Sequence, residues 1–539
     1  MVQPTQLRWY SIALFMSTLV LLPLVVLLLS WHQVDREIWS HLWETQMTQL
    51  LLNTVTLLFS VGLGVILLGV SLAWLTSLCE FPGRRWLDWA LMLPFAIPAY
   101  VLAFVFVGLL DFAGPVQTAL RTWIDPSLRF PSVRSTGGVI IVFVLVFYPY
   151  VYLLARSAFL AQGKGFMEAA RVLGLSPWQA FWRVALPVAR PAIGAGVALA
   201  LMECLADFGA VSVFNFDTFT TAIYKTWYGF FSLSSATQLA SLLLLFVALL
   251  LFAEHRSRGA IRPSSERQRG KALYHLKGWK AFFATGWCVL VFLCAFVIPI
   301  IQLVFWFWQR GRFDLDERYI ALISHTIYLG LLAAAFTVIA AMLLVFAKRL
   351  TPTYSMKALT GFSTLGYALP GSVLAVAIML AFSYLDGHAI IPLSKWLGGS
   401  GKPILLGSLG ALLLAYVIRF MAVAHGPLEG ALARIRPSLP EASRSLGVNS
   451  FALFRRVYLP LLMPGTLSAA LLVFVDVLKE MPATLLMRPF GWDTLAVRIF
   501  EMTSEGEWSR AALPALTLVL VGLLPVILLI RRSAKRPGH

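Results

Sequence analysis

The stretch that decides the fold occurs twice, as EAARVLGLSPWQAFWRVALPVARPAI at residues 168–193 and as EASRSLGVNSFALFRRVYLPLLMPGT at residues 441–466. The two copies are identical at eleven of twenty-six positions when Glu168 is aligned with Glu441. The likeness extends outward from them, since Pro98 corresponds to Pro370 at almost the same separation along the chain. An almost constant offset over this length indicates a duplication, so we expect two homologous halves.

The composition places both halves in a lipid bilayer. Of the 539 residues, 59% are hydrophobic and 13% are charged, and the mean hydropathy is +0.81, well outside the range of soluble proteins. Apolar runs of roughly 20 residues, the length that crosses a bilayer, recur along the whole chain. We therefore predict an all-α membrane protein of about twelve transmembrane helices, six in each half. The predicted spans are 9–30, 52–78, 88–110, 137–160, 191–213, 236–253, 281–306, 324–347, 358–383, 404–424, 463–487 and 511–530.

The basic residues predict how the chain crosses the bilayer. The net charge is +18. If the loops between predicted spans alternate between the two sides of the membrane, 29 of the 43 Lys and Arg residues lie on the side of the N-terminus and 13 on the opposite side, with Lys479 inside a span. By the positive-inside rule both termini are cytoplasmic, and the charge needs no nucleic-acid partner to explain it. Six spans per half give the two halves the same orientation. We expect a first permeation half at 1–253, a basic cytoplasmic linker at 254–280 and a second half at 281–539.

The repeated loop has the signature of a helix, a sharp turn and a second helix. Gly174 suits a left-handed helix end, Ser176 suits an N-cap and Pro177 suits a first helical position. The second copy follows the same plan with Gly447 as the stop and Asn449 as the cap. Both copies lie on the basic side of the membrane, so we expect them to be cytoplasmic.

These loops resemble the cytoplasmic signature of the permease family of bacterial ABC importers, a Glu-Ala-Ala segment followed by a Gly and an apolar-Pro pair. Ser443 is the one departure from it, and it is small. In that family the loop docks on an ATPase, so the resemblance implies two copies of a cytoplasmic ATP-binding subunit, a periplasmic substrate-binding protein and a bacterial inner membrane. The alternative is that both loops are plain interfacial helices whose first-turn acids favour the helix dipole. The implied coupling residues are Glu168, Ala169, Ala170, Gly174, Glu441, Ala442 and Gly447.

The chain itself carries no signature of ATP hydrolysis. The segment Gly398–Pro403 looks like a phosphate loop, but it does not fit the motif. Trp396 occupies the position of the first required Gly, and Pro403 follows Lys402 where the motif needs Ser or Thr. We therefore expect a transporter subunit rather than an enzyme, with no cofactor of its own. A secondary transporter also suits repeats and buried acids, whereas a channel would need a repeated filter loop that the sequence lacks.

Four acidic residues inside predicted spans are candidates for a substrate pathway. They are Glu203 and Asp207 in the first half, and Asp476 and Glu480 at the equivalent positions. Each pair is spaced i, i+4, which predicts one helix face, and at about 2.5–3.5 kcal/mol per charge such residues avoid lipid. Carboxylates attract hard cations such as iron(III), and the sequence has no cluster of His or Cys beside them.

A structural role for these acids stays open beside the pathway role. Lys479 could pair with an acid of the other half, or the carboxylates could satisfy backbone groups where Gly209 and Pro482 disturb the helices. The segments 202–214, 217–229 and 475–497 resemble the fused permeases of ferric iron importers, which implies an iron cargo. Related permeases for thiamine, phosphonate or sulfate remain alternatives.

Overall fold

A computed structural model of the chain describes residues 4–127, 131–162, 172, 174–257, 274–399 and 401–534. Within these residues eleven helices are long and apolar enough to cross a membrane, and the last helix contributes a shorter apolar stretch, Trp508–Leu524. The predicted all-α membrane fold with about twelve spans is therefore confirmed. The only described strands, Cys79–Glu80 and Tyr274–His275, pair in parallel and join the end of the linker to the first half.

The first half consists of helices of very different length. The α-helices are Pro4–Leu29, Arg36–Leu42, Thr48–Leu78, Arg84–Ala90, Ala99–Leu110, Pro115–Trp123, Thr136–Ala161, Pro177–Ala180, Leu186–Ala206, Gly209–Val213, Phe219–Phe230 and Leu233–Ser257. Turns of 3₁₀-helix are Ser30–His32 and Leu93–Ala96, and π-helical turns are Trp43–Met47 and Phe181–Ala185.

The second half repeats this order. Its α-helices are Trp279–Phe292, Ile298–Gln309, Glu317–Leu350, Tyr354–Ser363, Gly371–Leu385, Ile391–Trp396, Leu409–Leu432, Ser438–Ser445, Ser450–Leu453, Leu459–Lys479, Pro482–Met487, Leu495–Ser504 and Trp508–Ala534. Turns of 3₁₀-helix are Gly311–Asp314 and Leu365–Ala368, and π-helical turns are Leu293–Val297, Asp386–Ile390 and Phe454–Tyr458.

Four of the predicted spans are not continuous helices: 191–213 and 463–487 are broken at Asp207 and Glu480, and the other two are 88–110 and 358–383. The breaks in 88–110 and 358–383 share one cause. Each of these two spans is interrupted by a 3₁₀ turn and then by a proline with extended backbone, Pro98 at ψ 148° and Pro370 at ψ 144°. Proline has no N–H to donate and pushes the preceding residue away from helical angles, so the helix restarts only after it. The apolar run is long enough for one span, but its proline divides it.

The two halves interlock through their first helices. In the helix Pro4–Leu29, Ser17 donates to the Leu359 carbonyl of the second half over 2.8 Å. In the helix Trp279–Phe292, Thr285 donates to the Pro82 carbonyl of the first half over 3.1 Å, and the Trp287 ring nitrogen donates to Ser71 over 3.2 Å. Each half therefore includes, in its packing, the first helix of the other half.

Candidate functional site

A cavity of about 130 Å³ lies between the two halves and is lined by residues of both. All four predicted pathway acids line it: Glu203, Asp207, Asp476 and Glu480. Two basic side chains, Arg419 and Lys479, line it as well. The two pairs of acids, which come from distant parts of the sequence, thus share a single space.

The prediction that each acid pair lies on one helix face is wrong. The long helices Leu186–Ala206 and Leu459–Lys479, here called the long cavity helices, end one residue before Asp207 and Glu480. Both acids have extended backbone, with ψ of 133° at Asp207 and 107° at Glu480. They therefore begin a new segment rather than completing a helical turn.

Asp207 and Glu480 cap the helices that follow, Gly209–Val213 and Pro482–Met487, here called the short cavity helices. Oδ1 of Asp207 accepts the N–H groups of Ala210 at 2.9 Å and Val211 at 3.3 Å. Oε1 of Glu480 accepts the Ala483 N–H at 3.2 Å. The first turn of a helix leaves such N–H groups without partners, so these two carboxylates do satisfy backbone groups at the helix breaks.

Glu203 and Asp476 lie inside the long cavity helices and are placed differently. The hydroxyl of Tyr367, in the second half, donates to Oε1 of Glu203 over 2.8 Å. Lys479 reaches in the opposite direction, because its ammonium donates to the Phe95 carbonyl of the first half over 2.6 Å. Lys479 therefore binds a backbone carbonyl of the other half, and its hydrogen bond goes to this carbonyl rather than to a carboxylate.

Arg419 is the site residue that the sequence reasoning missed. It is 7% exposed, and its Nε lies 3.0 Å from Oε2 of Glu480. Its Nη1 donates to the Leu369 carbonyl over 2.6 Å, next to the break at Pro370. The signal was present, because Arg419 is the only charged residue in the apolar run Leu412–Ala424. A lone arginine inside a span indicates a buried partner or a cavity.

The carboxylates are spread around the cavity rather than gathered at one point. Across the residues described above, no three or more His, Cys, Asp or Glu side chains form a group that could hold a metal ion. The four carboxylates therefore line the cavity without forming a chelating cluster of these residue types within the described residues.

The two predicted coupling loops contain the expected turns. Gly174 has φ +79° and Gly447 has φ +77°, in the left-handed region that favours glycine. Ser176 accepts the Gln179 N–H at 3.3 Å, and Asn449 accepts the Ala452 N–H at 2.8 Å, so both predicted caps are present. The helix that each cap begins continues through a π-helical turn into a long cavity helix.

The acidic ends of these loops are only partly described. Glu168, Ala169 and Ala170 lie outside the described residues. In the second copy, Glu441 and Ala442 lie in the helix Ser438–Ser445, and both are exposed. This helix therefore leaves the two side chains accessible.

The family is decided by a match over most of the chain. Residues 66–257 and 345–536 each match the family described as the binding-protein-dependent transport system inner membrane component. The chain belongs to this family. It is therefore a multi-pass inner-membrane permease of an ABC importer, and the tandem match confirms the internal repeat.

Several curated permeases are similar to this permease. A Fe(3+)-transport system permease protein of Haemophilus influenzae is 28% identical over 508 residues, which are 92% of each chain. A ferric transport system permease protein of Actinobacillus pleuropneumoniae is 23% identical over 465 residues, 81% of this chain and 64% of that one. A sulfate transport system permease protein of Escherichia coli is 35% identical over 179 residues, 33% of this chain and 57% of that one.

Proposed function

We propose that this permease moves iron(III) across the inner membrane through the cavity between its halves. The observation that carries the proposal is the meeting of four carboxylates from both halves in one space that holds only two basic side chains. Excess negative charge in a space of low dielectric attracts cations and repels anions. The similarity to Fe(3+)-transport permeases over 92% of the chain supports iron as the cation.

The dispersed geometry suits passage better than storage. Carboxylate oxygens are hard ligands and are preferred by hard cations. A solute that is to leave must be bound weakly or at several places in turn, which separated carboxylates provide. Asp207 and Glu480 also serve as helix caps, so Glu203 and Asp476 are the acids whose charge can be removed with the least effect on the fold.

The energy for transport comes, in this proposal, from separate chains. Two copies of a cytoplasmic ATP-binding subunit dock on the two coupling loops, at Glu168, Ala169, Ala170 and Gly174 and at Glu441, Ala442 and Gly447. A periplasmic binding protein delivers the cargo on the other side. The permeation halves are 1–253 and 281–539, joined by the linker 254–280.

The proposed orientation puts both termini and the linker in the cytoplasm. Its support is the excess of Lys and Arg on that side, 29 against 13. The test is a cysteine introduced at Ser265 in the linker, treated with a membrane-impermeant maleimide. We expect labelling only after the cells are opened. Labelling of intact spheroplasts would show that the linker lies outside the cytoplasm and would contradict the proposed orientation.

The pathway is tested by the double variant Glu203→Gln with Asp476→Asn. These changes remove two negative charges from the cavity while keeping side-chain size and the ability to accept the Tyr367 hydrogen bond. The variant is assembled with the ATPase and the binding protein in liposomes, and uptake of radioactive iron(III) is measured. We expect uptake to fall about tenfold or more, equivalent to ~1.4 kcal/mol or more of lost stabilisation.

The matched control is Glu317→Gln, the same chemical change at an exposed helix start that does not line the cavity. It should leave uptake at the wild-type rate. If the double variant also imports iron normally, with equal amounts of protein in the membrane, the acids are not part of the route. If wild-type permease imports no iron at all, the substrate assignment fails while membership of the family stands.

A second candidate is transport of an anion such as sulfate or a phosphonate. It is favoured by the presence of Arg419 and Lys479 in the cavity and by the similarity to a sulfate permease. Both basic side chains, however, already have partners. Arg419 pairs with Glu480 and donates to the Leu369 carbonyl, and Lys479 donates to the Phe95 carbonyl. Uptake assays with sulfate, a phosphonate and thiamine in the same liposomes separate these cargoes from iron.

A further inference from the structure

The hydroxyl group of Tyr100 is a cavity feature that the helix caps and ion pairs leave unexplained. Tyr100 lines the cavity and is 6% exposed. Its oxygen is buried and forms no hydrogen bond within the part of the chain that the structure describes. A buried hydroxyl without a partner is costly, and a phenyl ring would fill the same space without that cost.

Tyr100 sits where the short cavity helices of the two halves meet. A Cβ atom added to Gly209 would lie 2.7 Å from Cβ of Tyr100 and 2.6 Å from Cε of Met481. The tyrosine is therefore packed against the first residue of one short cavity helix and beside the residue that precedes the other. Asp207 and Glu480, the two capping carboxylates, line the same cavity as Tyr100.

The oxygens near Tyr100 have a common chemical character. A phenol oxygen and two carboxylates are all hard oxygen ligands, and tyrosine is a known protein ligand of iron(III). Asp207 uses Oδ1 for both of its backbone bonds, which leaves Oδ2 for a ligand, whereas Oε2 of Glu480 lies 3.0 Å from Nε of Arg419. Such a set suits a small trivalent cation better than an organic cation, which would need an apolar or aromatic enclosure.

We propose that the Tyr100 oxygen is a contact point for iron(III) in transit, in the cavity that Asp207 and Glu480 also line. This proposal rests on the proposed function and names the residue through which the cavity recognises its cargo. On binding, the O–H bond of Tyr100 is replaced by a bond from oxygen to iron, and the released proton passes to a carboxylate of the cavity. No change of iron oxidation state is involved.

The experiment uses Tyr100→Phe in the full permease. The change removes one oxygen and leaves the ring in place, so we expect folding to be unchanged or slightly improved. Iron(III) is supplied as its nitrilotriacetate complex to the permease in lipid nanodiscs, and the visible absorption of an iron–phenolate charge-transfer band is recorded. We expect the band in the wild type and its loss in Tyr100→Phe, together with at least a fivefold fall in iron uptake in liposomes.

Ser372→Ala is the matched control from the other half. Ser372 occupies the position equivalent to Tyr100 when Pro98 is aligned with Pro370, and its hydroxyl is likewise buried without a partner among the described residues. It does not line the cavity. Ser372→Ala should therefore keep both the absorption band and the uptake, as should Tyr354→Phe at an exposed tyrosine.

The outcomes separate this proposal from the proposed function. If the wild type imports iron but Tyr100→Phe imports it equally well and the band is absent or unchanged, Tyr100 is not a contact point, while the iron pathway stands. If Tyr100→Phe only raises the thermal unfolding temperature, the hydroxyl is an unused polar group and the proposal is overturned. If the wild type imports no iron, both proposals fall.

Discussion

The walls that the two halves contribute to the cavity both carry acidic residues at equivalent positions, but only the second-half wall carries basic residues. Glu203 and Asp207 in the first half correspond to Asp476 and Glu480 in the second. In the same alignment Val146 corresponds to Arg419 and Ala206 to Lys479, and all four of these residues line the cavity. The second-half wall can therefore neutralise its own acids, whereas the first-half wall has no basic residue for this.

This difference teaches that a duplicated fold can hold a functionally one-sided site. The backbone is nearly the same on both sides, since each wall has a long helix, an extended acid and a short capped helix. Among the charged side chains that line the cavity, the two bases alone break the symmetry. In the proposed function, a cation in the cavity would therefore face a wall with acids alone on the first-half side and a wall with acids and bases on the second-half side.

The largest loss of stability is expected from Arg419→Val. This change gives the second half the residue that the first half has at the equivalent position, Val146. Glu480 would lose its partner while it stays 6% exposed. Removal of one member of a buried ion pair costs about 3–5 kcal/mol. The variant should therefore unfold at a clearly lower temperature in detergent, followed by tryptophan fluorescence.

The double variant Arg419→Val with Glu480→Gln is the control for this prediction. It removes the unpaired charge but keeps an amide oxygen that can cap Pro482–Met487, so it should recover most of the lost stability. Equal unfolding temperatures for the wild type and the single variant would show that the pair contributes little.

A smaller effect is expected from Gly371→Ala, which again copies the first half, where Ala99 is the equivalent residue. A Cβ at Gly371 would lie 2.1 Å from Oε1 of Glu480, so the carboxylate would have to move from its cap. Overpacking of this kind costs about 1–3 kcal/mol. Thermal unfolding should show the loss, and Ala99→Gly, which adds no atom, should show much less. A stable Gly371→Ala variant would mean that Glu480 can shift freely.

The smallest effect on stability is expected at the two positions where the halves agree, Gly174 and Gly447. Nothing lies within 4 Å of a Cβ added at either glycine, so a larger residue causes no steric clash there. Its only cost is the backbone strain of a positive φ, about 1–2 kcal/mol. Gly174→Val and Gly447→Val should lower stability equally.

The same two variants test the proposed coupling role. Iron uptake by the assembled importer should fall well beyond the change in stability, because the turn that presents each loop is altered. Unequal losses of stability would contradict the symmetry of the two turns. Full uptake with both variants combined would remove the basis for the coupling role.

The fold was predictable from the sequence because its main signals are long. Apolar runs and a repeat of constant offset survive any uncertainty about single residues, so twelve spans in two halves follow directly. The caps Ser176 and Asn449 were also predictable, since capping depends on neighbours in sequence.

The site was less predictable because its contacts join distant parts of the chain. Spacing alone placed Asp207 and Glu480 on helix faces, whereas the backbone turns at both residues to begin a short capped helix. The partner of Arg419 lies on another helix, and Tyr100 sits in an apolar run where it looks like an ordinary packing residue. Sequence periodicity carries no information about which helices face each other.

The crossing of the first helix to the opposite half also has a consequence for how the protein is made. Ser17 hydrogen-bonds with Leu359, which is added to the chain 342 residues later. At a synthesis rate of about 5–20 residues per second, the partner appears roughly 20 to 70 s after Ser17. During that interval lipid, rather than protein, has to surround this helix. Its strongly apolar sequence makes the helix stable in lipid until its partner has been synthesised.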